Sequence, residues 1–394
     1  MDFQTYWLLA LPFFFGLGWL AARVDIRHLL SESRTLPASY FKGLNFLLNE
    51  QPDKAIEAFI EVARAEQQTI ELQFALGGMF RRRGEVDRAT RLHQSLVERT
   101  DLTVQQRTDA LYELALDFLK AGLLDRAAPL FDKLKESDHE EAALRHLLDI
   151  HVTEKDWLQA IAASLTLEHK TGEDHRSERG HFYCELAILS YSRSQFEEAQ
   201  QFLDQALTTH KNCLRARVLQ GQWAMNDAKF SEACQIWQQL EQPDPDYLFL
   251  VAKPMVDCLR QLNRSTEALT LLESWLSRYP SLDLLAVTFQ TALEIRGENY
   301  AHALTRQELA RHPSLGALEK YFESQVVMAP VEQREEWQRM RDIVHGQFER
   351  LAYYQCHHCG FKARSFHWHC PACGQWDSYP PRRQVEQDLQ PRVN

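Results

Sequence analysis

Apolar positions divide the chain into three regimes. In the first, no residue from Phe3 to Ala22 carries a charge, and Tyr6 to Ala22 reads YWLLALPFFFGLGWLAA. The second runs from about residue 36 to 350 and places small and large apolar residues in phase between short polar turns, which predicts antiparallel helix pairs. Ala55, Ala89, Ala127, Ala160, Ala199, Ala233, Ala268 and Ala301 set the phase, with separations of 34, 38, 33, 39, 34, 35 and 33 residues. Twelve residues before each stands Gly43, Gly77, Ala115, Leu148, Ala187, Gly221, Val256 or Phe289. Four residues after the alanine, Phe59, Phe131, Leu203, Trp237 and Leu272 fill a large slot. Small residues let paired helices approach, and large ones fill the gap to the next pair. Turns fall at Glu50-Gln51-Pro52-Asp53, Arg83-Gly84-Glu85 and Ala121-Gly122-Leu123, and Pro280 and Pro313 close the last two pairs. The third regime, 351–381, interleaves aromatic residues with cysteines and predicts a small separate module.

The uncharged run is long enough to cross a bilayer: about twenty residues at about 1.5 Å each cover the roughly 30 Å hydrocarbon core. Tyr6, Trp7 and Trp19 lie near its ends, where aromatic rings prefer the interface. A cleaved signal peptide would need a basic start and a small-x-small cleavage site, whereas the chain starts Met1-Asp2 and offers Trp19-Leu20-Ala21. Residues 1–22 are therefore expected to be an uncleaved single-span anchor, followed by a juxtamembrane linker at 23–35. Arg23, Arg27 and Arg34 follow the span, so the N-terminus is expected on the periplasmic side and the bulk of the chain in the cytoplasm.

The repeat series resembles the tetratricopeptide repeat family from about Leu36 to Pro313. That resemblance implies an all-α superhelix whose concave face binds a peptide or protein rather than performing catalysis. Tyr40, Phe74, Arg81, Arg82, Tyr112 and Lys120 are the candidate partner-binding residues of that face, with the Arg81-Arg82-Arg83 run suited to an acidic segment.

Chemistry concentrates near the C-terminus. Cys356, Cys359, Cys370 and Cys373 form C-x2-C-x10-C-x2-C, two knuckles that bring four thiolates onto one metal ion. Gly360 and Gly374 follow the second cysteine of each knuckle, where the backbone must turn its amides toward sulfur. Tyr354, Phe366, Trp368 and Trp376 are expected to supply the small core around the metal, with His357, His358, His367 and His369 at the surface or behind the ligands. A tetrahedral four-sulfur site accepts zinc or iron. The knuckles resemble both rubredoxin and zinc ribbons. A redox-active CxxC pair is a third reading, weakened by the two knuckles occurring together. A closed four-thiolate site leaves no position for a substrate, so a structural, sensory or docking role is expected.

Composition narrows the rest. Hydrophobic residues make up 45% and charged residues 25%, which excludes wholesale disorder, a collagen-like chain and a polytopic membrane protein. Lys and Arg total 44 against 55 Asp and Glu, a formal charge of −11, which argues against nucleic-acid binding. Cys184, Cys213, Cys234 and Cys258 sit singly in helical sequence and are expected to be buried thiols. No P-loop, nucleophile elbow or H-E-x-x-H motif occurs, so no enzyme is expected.

The order of parts resembles the lipopolysaccharide assembly protein B (LapB/YciM) family of Gram-negative bacteria, on FFFGLGWLAAR, the repeat series and CHHCGF…WHCPACGQW. The resemblance implies a non-enzymatic inner-membrane adaptor that restrains lipopolysaccharide synthesis. Its implied partners are the FtsH-type membrane protease, the lipid A pathway deacetylase LpxC and other lipopolysaccharide synthesis or transport proteins, and homo-oligomers are compatible with it. It favours iron at the four cysteines, with zinc the alternative. The implied division is repeats at 36–350, a rubredoxin-like metal domain at 351–381 and a polar, disordered tail at 382–394. Two rival readings are a general membrane-tethered scaffold and a rubredoxin-like redox sensor.

Overall fold

The computed structural model describes residues 70–387 continuously and scattered positions between 42 and 58. The expected anchor 1–22, the linker 23–35 and Tyr40 lie outside the described residues. Among the described residues no helix is long and apolar enough to cross a membrane. The chain divides into two compact units, residues 1–150 and 151–394.

Helices follow one another almost without interruption: α1 Ile70–Arg82, α2 Val86–Val97, α3 Val104–Lys120, α4 Leu124–Asp132, α5 Glu140–Glu154, α6 Trp157–Thr171, α7 Arg176–Ser192 and α8 Phe196–Thr209. Then come α9 Leu214–Asn226, α10 Phe230–Gln238, α11 Phe249–Gln261, α12 Ser265–Arg278, α13 Leu282–Arg296, α14 Glu298–Arg311, α15 Leu315–Met328 and α16 Val331–Leu351. The alanines that set the phase are all buried, none more than 1% exposed, so the register read from the sequence is the packing register.

Local chemistry explains the boundaries. Thr103 caps α3 reciprocally: its hydroxyl accepts from the Gln106 amide while the Gln106 side chain accepts from the Thr103 amide. Six successive helix pairs turn on one residue of positive φ, five positions before the phase alanine: Gly84, Gly122, Lys155, Ser194, Ala228 and Asn263. Glycine takes that left-handed geometry without penalty and asparagine accepts it readily, whereas Lys155, Ser194 and Ala228 accept about 1 kcal/mol or more of strain there.

The small and large slots meet as expected. A Cβ built on Gly221 would lie 2.2 Å from Nε1 of Trp237, and one on Gly77 would lie 2.2 Å from Nε2 of His93. His93 thus fills the large slot of its pair, a position the apolar pattern left blank. It is fully buried, with Nδ1 2.5 Å from Oδ2 of Asp117. In the second unit one core runs through Trp237, Leu248, Met255, Trp275 and Leu285.

After α16 the chain forms a two-stranded antiparallel hairpin, β1 Tyr354–Gln355 with β2 Lys362–Ala363. The last described element is a single helical turn, α17 Gln384–Gln387, and residues 388–394 of the expected tail lie outside the described residues. Residues 382–387, expected in a disordered tail, instead fold back on the helices of their unit. Arg382 grips Asp246 in a bidentate pair at 2.6 and 2.9 Å, and Arg383 grips Asp283 at 2.9 and 3.1 Å. Glu386 accepts from the amide of Leu282 at 2.6 Å.

Candidate metal centre and its seat on the helices

Each knuckle is built by the same hydrogen bonds. The Cys356 amide donates to the Phe361 carbonyl at 3.0 Å, and the Gly360 amide donates to the Cys356 carbonyl at 2.9 Å. The second knuckle repeats this from Cys370 to Gln375 and from Gly374 to Cys370, both at 2.9 Å. Gly360 and Gly374 stand at φ +77° and +71°, the left-handed geometry that turns the following amides toward sulfur. The hairpin β1–β2 brackets the first knuckle, and a His369–Trp376 bridge brackets the second.

The four sulfurs lie within 4.8 Å of one another. Cys356 and Cys373 are 3.8 Å apart, as are Cys359 and Cys370. Thiolates about 2.3 Å from a tetrahedral metal ion stand about 3.8 Å apart along each edge, so the donor set fits such an ion. Burial pushes the Cys356 thiol up, but the Ser378 hydroxyl and the amides of Cys359 and His358 outweigh it and bring the thiol down to about 6. Tyr379 presents its hydroxyl to Cys370 at 3.8 Å. These donors stabilise negative sulfur before any ion arrives. Cys356 and Cys370 are buried, Cys373 is half-buried and Cys359 is exposed, so one edge of the site faces solvent.

The module is seated on helices of its own unit, and the aromatic residues do this in two ways. Tyr354 and Phe366 join Cys356, Cys370 and Tyr379 in the module core, as expected. Trp368 and Trp376 also face outward onto the helices, which departs from the expectation that they only surround the metal. Trp376 stacks on His181 of α7 with ring centres 4.8 Å apart, and its edge meets Trp157 and Phe182. Trp368 stacks on Tyr247 at 5.2 Å, and Phe249 of α11 packs on Tyr354 and Phe366.

Polar contacts fix the orientation. Asp377 accepts from Ser177 at 3.0 Å and sits 2.8 Å from Nε2 of His181. Burial pushes its carboxyl up, but His181 and Ser177 more than compensate and hold it below 3.8. Tyr354 donates to Asp283 at 2.8 Å, the same carboxylate that Arg383 grips. His357 and His358 are exposed, whereas His369 stacks behind the second knuckle on Trp376 at 4.3 Å.

The candidate groove residues have different fates. Arg81 is committed inside its unit, with Glu113 at 2.5 Å and Asp117 at 2.8 Å. Tyr112 lies flat on His139 at 4.3 Å. Phe74 is half-buried 6.2 Å from the His93 ring. Arg82 and Lys120 are exposed. Sequence reasoning missed His181, Tyr247, Asp246, Asp283 and Asp377. Their only local signal is the positive φ of Asp377, and that is visible only in the fold.

A family model described as the rubredoxin metal binding domain matches residues 354–380. Lipopolysaccharide assembly protein B of Escherichia coli K12 is 30% identical over 382 residues, 96% of this chain and 98% of its own length. The Haemophilus influenzae protein of the same name is 29% identical over 95% of this chain and 97% of its own. A tetratricopeptide repeat protein from Parabacteroides merdae aligns over 73% of this chain and 100% of its own at TM-score 0.32 and 13% identity, a distant likeness.

Proposed function

The chain belongs to the lipopolysaccharide assembly protein B family, and from that premise we propose that it is a non-enzymatic, membrane-anchored adaptor that restrains lipopolysaccharide synthesis. Residues 1–22 tether it to the inner membrane with the helical repeats on the cytoplasmic side. Tethering confines adaptor and partners to one plane and raises their effective concentration. The repeats present the lipid A pathway deacetylase to an FtsH-type protease and hold other lipopolysaccharide assembly proteins nearby.

One observation carries this reading: the four-cysteine module and the two arginines after it hold α7, the turn before α11 and α13 of their unit through Asp377, Trp368, Tyr354, Arg382 and Arg383. A closed sulfur site welded to a repeat surface suits a device that holds a shape and lacks the open coordination position a hydrolytic metal needs. Cys356, Cys359, Cys370 and Cys373 would hold the ion, which when bound cross-links the two knuckles. The family resemblance favours iron, and the donor set also suits zinc. The residues on the helix side do the rest: His181 and Ser177 fix Asp377, and Asp246 and Asp283 anchor the two arginines.

The test is the half-life of the lipid A pathway deacetylase after translation is stopped, with and without this protein. A longer half-life on its removal supports the protease-adaptor reading. An unchanged half-life would shift the reading to a scaffold that assembles enzymes without directing proteolysis.

A further inference from the structure

Outside the metal centre the chain holds two further pairs of neighbouring thiols, and the two differ. Cys234 and Cys258 interact within the large core, and burial raises both, Cys258 to about 12. Cys184 of α7 and Cys213, the N-cap residue just before α9, have their sulfurs 3.8 Å apart. Cys184 is 0% and Cys213 3% exposed. A disulfide bond is about 2.05 Å long, so the two sulfurs must approach by under about 2 Å to form one.

Cys213 is the reactive partner on several counts. The Cys184 sulfur, first of all, then nearby His181 and the Ala216 amide, bring its thiol down to about 7 against the effect of burial. It stands at a helix N-terminus, where partial positive charge favours a thiolate. Lys211 and Asn212 just before it are exposed, so a small oxidant needs to travel little beyond the surface. A thiolate beside a resolving thiol is the arrangement that reversible oxidation requires.

We propose that Cys184 and Cys213 are a reversible dithiol–disulfide pair, oxidised by hydroperoxides, at the helices that seat the metal module. The Cys213 thiolate attacks hydrogen peroxide, forming Cys213 sulfenic acid and releasing hydroxide, which takes up the proton that Cys213 lost. Cys184 then attacks the sulfenic sulfur, forming the S–S bond and releasing water. The net change is two thiols and one peroxide to one disulfide and two waters, with the peroxide reduced by two electrons. The bond would join α7 to the start of α9. Gly180 of α7 lies against Cys213, and its neighbour His181 holds Asp377 and Trp376.

The test treats the full-length, zinc-loaded protein in detergent with hydrogen peroxide. Samples are quenched over time by alkylation under denaturing, non-reducing conditions and read by peptide mass spectrometry. The expected result is a linked Cys184–Cys213 peptide two hydrogens lighter than the separate thiols, reversed by dithiothreitol. Cys213 should be lost at least ten-fold faster than Cys258 in the same molecule. C184S should stop at a Cys213 sulfenic acid that dimedone captures. Equal rates at Cys213 and Cys258 would overturn the proposal, as would Cys213 passing to sulfinic acid in the wild type without linking to Cys184. The wild-type rate comparison decides the matter even if C184S fails to fold.

Discussion

Truncating Trp376 to alanine tests whether the metal module is a separate bead or part of the repeat packing. The indole is 8% exposed and touches His181, Trp157 and Phe182, with the Arg215 guanidinium 5.5 Å over its ring. Among the described residues its Nε1 has no hydrogen-bond partner, so the truncation removes packing and a cation–π contact alone. Buried Trp→Ala changes cost about 3–5 kcal/mol, and the rim position argues for the lower end. A loss of about 3 kcal/mol is about 150-fold in an opening equilibrium. Native-state hydrogen exchange of the α7 amides should speed up by that factor where exchange is limited by unseating. Amides of α14, three helix pairs further along the chain, serve as the internal reference. None of the four cysteines is altered, so bound metal should stay at its wild-type level. Unchanged α7 exchange in a folded variant would refute the seating argument. Loss of metal would show that Trp376 serves the knuckle itself rather than its attachment.

Four further outcomes are expected. Cys370→Ser should lose bound metal by elemental analysis, and retained metal would count against the four-sulfur assignment. Gly221→Ala pushes a Cβ into Trp237 at 2.2 Å, an overpacking expected to cost about 1–3 kcal/mol in chemical denaturation. Ala228→Gly relieves a non-glycine residue at φ +59° and should gain about 0.5–1 kcal/mol, and a loss there would mean the turn is not strained. The folded Asp377 carboxyl lies below its ordinary value of 3.8, so its stabilising contribution is complete above that pH and disappears as pH falls through the depressed value. Asp377→Asn should remove that acid-side slope from the pH dependence of α7 exchange, and an unaltered slope would assign it to another carboxylate.

The legible part of this chain was the part encoded at short range. Alanine spacing gave the helix register because each phase alanine packs within its own helix pair, and the C-x2-C knuckles carry their own turn glycines. Residues that act across long separations left no local trace. His181 meets Asp377 across 196 positions, Arg382 meets Asp246 across 136, and Arg383 meets Asp283 across 100. Each looks like an ordinary surface charge in its own stretch. The same limit explains Trp368 and Trp376, which read as a metal core because their neighbours in sequence are the ligands. His93 escaped because the large slot was sought among apolar residues. A buried histidine serves there because Asp117, which also holds Arg81, satisfies its Nδ1.

The clasp formed by residues 376–386 also orders events during synthesis. Every helix it fastens, from α6 to α13, leaves the ribosome before the clasp does. Those pairs can form early through local contacts, which are the fast ones. They stay unfastened until Asp377, Arg382 and Arg383 emerge and find carboxylates or rings far back in the chain. A nascent chain halted before residue 376 would therefore hold most of its helices but none of this fastening. Completion of the repeat surface is thus tied to completion of the metal knuckles.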